Sequence, residues 1–151
     1  TTLFRSQEST EPHFEKSMED AIISNVVGVV DKVINVFRTY KHETAAVVAV
    51  LKKLNHQLIF FKKNGFYSSL SNSHSTVVQF WANQFSSDLQ EITKYLQIQY
   101  DVVLSLSEEK FKRTYAANDL EAMTRYLQER LTSLRESGSM LVEQYEKTRH
   151  H

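Results

Sequence analysis

Three glycines and one proline are all that this chain of 151 residues offers for sharp reversals. Pro12 lies near the start, Gly28 inside a valine-rich run, Gly65 near the middle and Gly138 near the end. Glycine and proline are the strongest punctuators of local structure, and hairpin sheets draw on them at turn after turn. A chain this poor in both lacks the turn chemistry of a many-stranded sheet. Its long uninterrupted stretches are free to be helix.

Apolar spacing divides those stretches. The first helix is predicted from just after Pro12 to about Tyr40. Ile22, Val26, Val29, Val33, Val36 and Tyr40 recur at alternating spacings of four and three, a heptad seam for a partner helix. Val27, Val30, Ile34 and Phe37 form a second row, so this helix should touch two neighbours. The run from Val26 to Val30 is β-branched and has strand character, but the heptad register continues across Gly28 and selects helix.

The period resumes at Val47, Leu51, Leu54, Leu58 and Phe61. One unbroken helix over residues 14–63 would be about 75 Å long at the α-helical rise, where about 30 Å suits a compact domain. A break near Lys41–Glu43 is therefore expected, although that stretch has no Gly, no Pro and no obvious cap; the unbroken alternative would favour a dimer. Lys62 and Lys63 suit the negative end of the second helix. Asn64-Gly65 offers a left-handed stop, and Phe66 its hydrophobic contact. A serine-rich loop comes next.

The third helix is predicted from about Ser75 to Leu104, with Val78, Trp81, Phe85, Leu89, Ile92, Leu96 and Val103 inward. Ser105 followed by Glu108 has capping-box spacing, and Ser107 is the alternative cap. Asn118 followed by Glu121 repeats the pattern, so 108–117 reads as a short helix. Phe111 and Tyr115 are out of phase with the apolar row that begins at Leu120, which places a kink between them. The last helix runs from Asp119 to about Lys147 on the seam Leu120, Met123, Leu127, Leu131, Leu134, Gly138, Leu141 and Tyr145. Glu121-Arg125, Arg125-Glu129 and Glu143-Lys147 are exposed pairs at helical spacing. Gly138 lies on the seam, where it permits close approach or a bend.

The expected fold is all-α, an antiparallel four-helix bundle with a short fifth helix before a kink near Asn118. Residues 1–12 form a flexible lead-in, 13–148 a single helical-bundle domain and 149–151 a tag remnant. The start at Thr1 and the end at His150-His151 suggest a domain excised from a longer protein.

The composition narrows the chemistry. Lys plus Arg equals Asp plus Glu, so the formal charge is zero and nucleic acid is a poor partner. There is no cysteine, which removes disulfides, thiolate catalysis and cysteine-ligated metals. The longest apolar run, Ala45 to Leu51, is far short of the ~20 residues a membrane span needs. His42-Glu43 lacks the second histidine of a zinc-peptidase helix, and no inward Glu-x-x-His, nucleophile elbow or phosphate loop occurs. His42-Glu43-Thr44 is similar to the phospho-acceptor box of histidine kinases, but no glycine-rich nucleotide loop accompanies it.

No enzyme, metal or cofactor is expected. The expectation is a cytoplasmic, non-catalytic protein-interaction or oligomerisation module of a larger signalling or scaffold protein. Its partner is another protein or a second copy of itself. The alternative is a sensory or ligand-binding four-helix domain of a bacterial receptor or regulator, extracytoplasmic where it is a sensor. Phe60, Phe66 and Tyr67 form the candidate protein contact, because aromatics near a helix end either plug the bundle or mark a binding patch.

Overall fold

The computed structural model describes residues 11–40, 44–64 and 75–149. All of the regular structure among them is helical: α1 (Glu11–Arg38), α2 (Ala45–Asn64), α3 (Thr76–Leu104), α4 (Glu108–Thr114) and α5 (Ala117–Arg149). The all-helical expectation holds. The described residues contain no strand, so the valine-rich run is helix. Helix α1 begins at Glu11, one residue before Pro12, whose missing N–H is harmless in a first turn.

The long helices pack as a bundle through four neighbour pairs, α1 with α2, α1 with α3, α2 with α5 and α3 with α5. Two of these pairs are antiparallel. Asn55 Nδ2 donates to Asp31 Oδ1 at 2.7 Å and Lys62 Nζ to Ser24 Oγ at 2.7 Å, so α2 runs back along α1. Ser133 and Ser137 of α5 reach Asp88 of α3, while Tyr115 Oη reaches Gln99 Oε1 at 2.8 Å. The other two pairs are parallel. Arg135 Nε donates to Gln57 Oε1 at 3.1 Å, and four residues on, Phe61 meets Gly138. Tyr40, just past α1, donates to the Leu106 carbonyl just past α3 at 3.1 Å.

The elbow between α1 and α2 is where a break was expected. Thr44 immediately precedes α2, and its hydroxyl reaches back to the Phe37 carbonyl at 3.0 Å and the Tyr40 carbonyl at 2.9 Å. A residue in the N-cap position of one helix thus offers a donor to carbonyls at the end of the one before, where the Phe37 carbonyl also accepts the Tyr40 N–H at 3.0 Å. Lys41, His42 and Glu43 lie outside the described residues.

Most predicted core positions are buried, including Val47, Leu51, Leu54, Leu58 and Phe61 of α2 and Val78, Phe85, Leu89, Ile92, Leu96 and Val103 of α3, while Val27, Val36, Tyr40 and Trp81 are half-buried against them. Helix α1 differs at its start: Ile22 is 45% exposed, and Ile23 is buried in its place. The buried row Ile23, Val26, Val30, Val33 and Phe37 keeps the alternating spacings of three and four, so at this end the core-facing stripe passes through Ile23 rather than its neighbour Ile22. The cap of α4 is Ser107, which accepts from the Lys110 N–H at 3.3 Å, whereas Ser105 ends α3. Helix α5 starts two residues earlier than expected. Its first-turn contact is Asp119 Oδ2 accepting the Ala116 N–H at 3.2 Å, not the Asn118–Glu121 pair.

Aromatic rings close the end of the bundle where α1, α3 and α4 meet. Phe111 stacks on Tyr40 with centroids 3.9 Å apart and meets Phe37 edge-on at 6.0 Å. Tyr115 completes the plug, 5.0 Å from Phe111. Toward the other end Phe61 packs perpendicular to Phe85 at 5.3 Å. A Cβ placed on Gly138 would lie 2.6 Å from Phe61 Cε1 and closer still to Cζ. The missing side chain is therefore the seat of the Phe61 ring, and close approach is the role of this glycine.

Candidate functional site

Of the three expected contact residues, Phe66 and Tyr67 lie outside the described residues. Phe60 is described. It is 53% exposed on α2 and meets the buried Phe61 edge-on at 5.6 Å. Helical geometry accounts for the difference: consecutive residues point about 100° apart, so Phe61 on the seam turns Phe60 outward. Phe60 borders a groove of about 460 Å³ between α2 and α5 with Lys53, His56, Gln57 and Arg135. Arg135 is held by its bond to Gln57.

A second groove, about 480 Å³, runs between the parallel helices α1 and α3. Val26 and Leu89 form its buried floor; Ile22 and Ile98 stand on its margins, with Ile98 51% exposed. Asn25, Gln90, Gln97 and Lys94 supply polar ends around an apolar floor. Periodicity alone did not find this surface, because it scores residues for the core and passes over those beside it. A signal was nonetheless present. Ile98 and Val102 are apolar, one turn apart and off the α3 seam, and Val102 is also exposed.

Inside the bundle Asp88 is only 1% exposed. Ser133 Oγ donates to its carboxyl, 3.1 Å from each oxygen, and Gln84 Nε2 lies 3.4 Å from Oδ1. The single proton of Ser137 Oγ has two acceptors in reach, Asp88 Oδ2 at 3.1 Å and the Leu134 carbonyl at 3.2 Å. Among the described residues no cation pairs with Asp88. The set joins an acid to two hydroxyls and an amide; Asp88 and Ser137 are buried, while Ser133 and Gln84 are half-buried. It satisfies a buried polar group and ties α3 to α5.

On the same helix pair, Tyr95 and Tyr126 sit with ring centroids 4.4 Å apart. Arg130 Nη1 bonds Glu91 Oε2 at 3.0 Å, and its guanidinium lies 5.7 Å from the Tyr126 ring centre. Burial, then the neighbouring Tyr126 and Tyr115, push the Tyr95 hydroxyl up to about 12. Burial also raises Tyr115. Tyr126 is raised by burial first and then by Glu91, with Arg130 opposing. The Tyr115 hydroxyl donates to Gln99 Oε1 at 2.8 Å and the Tyr126 hydroxyl to Glu91 Oε1 at 3.3 Å.

Among the described residues no three histidine, aspartate or glutamate side chains come close enough to hold a metal ion, and no helix is long and apolar enough to cross a membrane. No family model, no curated protein and no solved structure matches this chain.

Proposed function

We propose that this is a non-catalytic protein-interaction module of a larger intracellular protein, built on a closed four-helix core whose chain direction alternates from helix to helix. The carrying observation is the apolar groove between α1 and α3, with isoleucines exposed on its margins and polar groups around them. An apolar centre with a polar rim is the pattern of protein interfaces, where a few buried anchors carry most of the binding. A groove between two helices accepts the apolar face of a third.

Capture with the isolated domain, read by mass spectrometry, tests this reading. Proteins retained by the wild type and lost from Ile22→Asp/Ile98→Asp, with the melt unchanged, support it. Equal capture by both chains counts against it. Ligand sensing is a second reading with its own support, since the groove volume falls in the range of small-molecule sites, roughly 300–1,000 Å³. A thermal-shift screen that finds an apolar small molecule, with the shift abolished by the same variant, would favour it. If a second copy is the occupant, the same variant lowers the molecular mass measured by light scattering.

A further inference from the structure

The groove between α2 and α5 differs in chemistry from the one between α1 and α3. Its lining holds three nitrogen bases, Lys53, His56 and Arg135, together with Gln57 and the exposed ring of Phe60, and no acid. In a chain with equal numbers of acidic and basic residues, a lining with bases alone is a local imbalance. None of the three bases is in an ion pair with a described carboxylate. Ion pairs lie elsewhere, at Glu121–Arg125, Glu91–Arg130 and Glu143–Lys147.

Arg135 is fixed in place. Its Nε bonds Gln57 across the two helices, which leaves the terminal amino groups of the guanidinium as a fork for a carboxylate. Lys53, His56, Gln57 and Phe60 fall at spacings of three and four along α2, so they share one face of that helix. The ring of Phe60 adds apolar surface to the cationic patch.

We infer that the α2/α5 face docks an acidic protein segment. Its carboxylates meet Arg135 and Lys53, and an apolar or aromatic side chain lies on Phe60. Charge complementarity selects this occupant. A basic segment would meet the like charges of Lys53 and Arg135, and a purely apolar one would strip water from them without return. This surface is separate from the α1/α3 groove, so the two docking functions stand or fall independently.

The test is an amide-shift titration of the isotope-labelled chain with a synthetic helical peptide carrying Glu on one face and Leu and Phe on the other. The expected result is a set of shifts confined to residues 53–60 of α2 and the turn around Arg135, fading as salt is raised. Lys53→Glu/Arg135→Glu should weaken binding by about tenfold or more, as reversed interfacial charges do. Ile22→Asp/Ile98→Asp should leave it unchanged. If the charge-reversed chain does not fold, Lys53→Gln/Arg135→Gln replaces it, with an expected loss of about fivefold.

Shifts centred elsewhere, or binding that survives both charge variants, overturn the inference. So does equal binding of the same peptide with Lys in place of Glu. Matching shifts from inorganic phosphate or from anionic lipid vesicles overturn it as well, because they assign the patch to a small anion or a lipid surface.

Discussion

At Gly138 a single methyl group separates a seated Phe61 ring from a collision. Phe61 is buried and packed against Phe85, so it has little freedom to retreat. Gly138→Ala is expected to cost about 1–3 kcal/mol in chemical denaturation, the usual range for overpacking, although alanine is the better helix former. Adding Phe61→Leu should recover part of that loss, and strictly additive costs would show that the ring is not the obstacle. The raised Tyr95 hydroxyl gives a second expectation. Below pH 10 both the folded and unfolded forms hold the proton. Between pH 10 and about 12 the unfolded chain loses it first. Stability therefore falls as pH rises through that window, and Tyr95→Phe should make the fall shallower. Denaturation midpoints measured across the window check the sign.

At the scale of single elements, the elbow depends on one hydroxyl. Thr44→Val keeps the shape of the side chain and removes the donor that serves the Phe37 and Tyr40 carbonyls. The expected cost is about 1 kcal/mol, that of one typical hydrogen bond, because the Tyr40 carbonyl loses this donor while the Phe37 carbonyl keeps the Tyr40 N–H at 3.0 Å. A melt indistinguishable from wild type would show that the elbow is set by packing alone. This element also marks the limit of what the chain discloses before folding. Val47, Leu51, Leu54, Leu58 and Phe61 announce α2 because a buried stripe must repeat with the helix, and all five are buried. Thr44 does not announce itself, because its partners are carbonyls of another helix and no local spacing encodes them. Ser105 and Ser107 were separable only by geometry: both carry cap chemistry, but one closes α3 and the other opens α4.

For the whole molecule, far-ultraviolet circular dichroism should report about 70% helix or more, well above the roughly one-third typical of globular chains. A substantial sheet signal would contradict the assignment of the valine-rich run to α1. The helical class was legible because it needs only periodicity and the scarcity of breakers. The pairing of helices was not. Whether α1 lies beside α3 depends on which faces find each other across the bundle, and Tyr40 reaching Leu106 has no precursor in local sequence. The candidate surfaces divide the same way. Phe60 was legible as an aromatic off the seam, whereas the groove with Ile22 and Ile98 exists only once two helices are brought together.

The hydrogen bonds around Asp88 constrain how this protein can vary over evolutionary time. Asp88, Ser133 and Ser137 come from two helices, and each is useful only in the company of the others. Replacing the acid alone takes the acceptor from Ser133 and leaves the buried Ser137 hydroxyl to the Leu134 carbonyl, and replacing the serines alone leaves the buried carboxyl with the 3.4 Å contact to Gln84. A wholly apolar trio could pack as well or better. Every single-step route to it passes through a less stable chain. Related sequences should therefore carry these three positions as a set, either all polar or all apolar, with the mixed combinations rare.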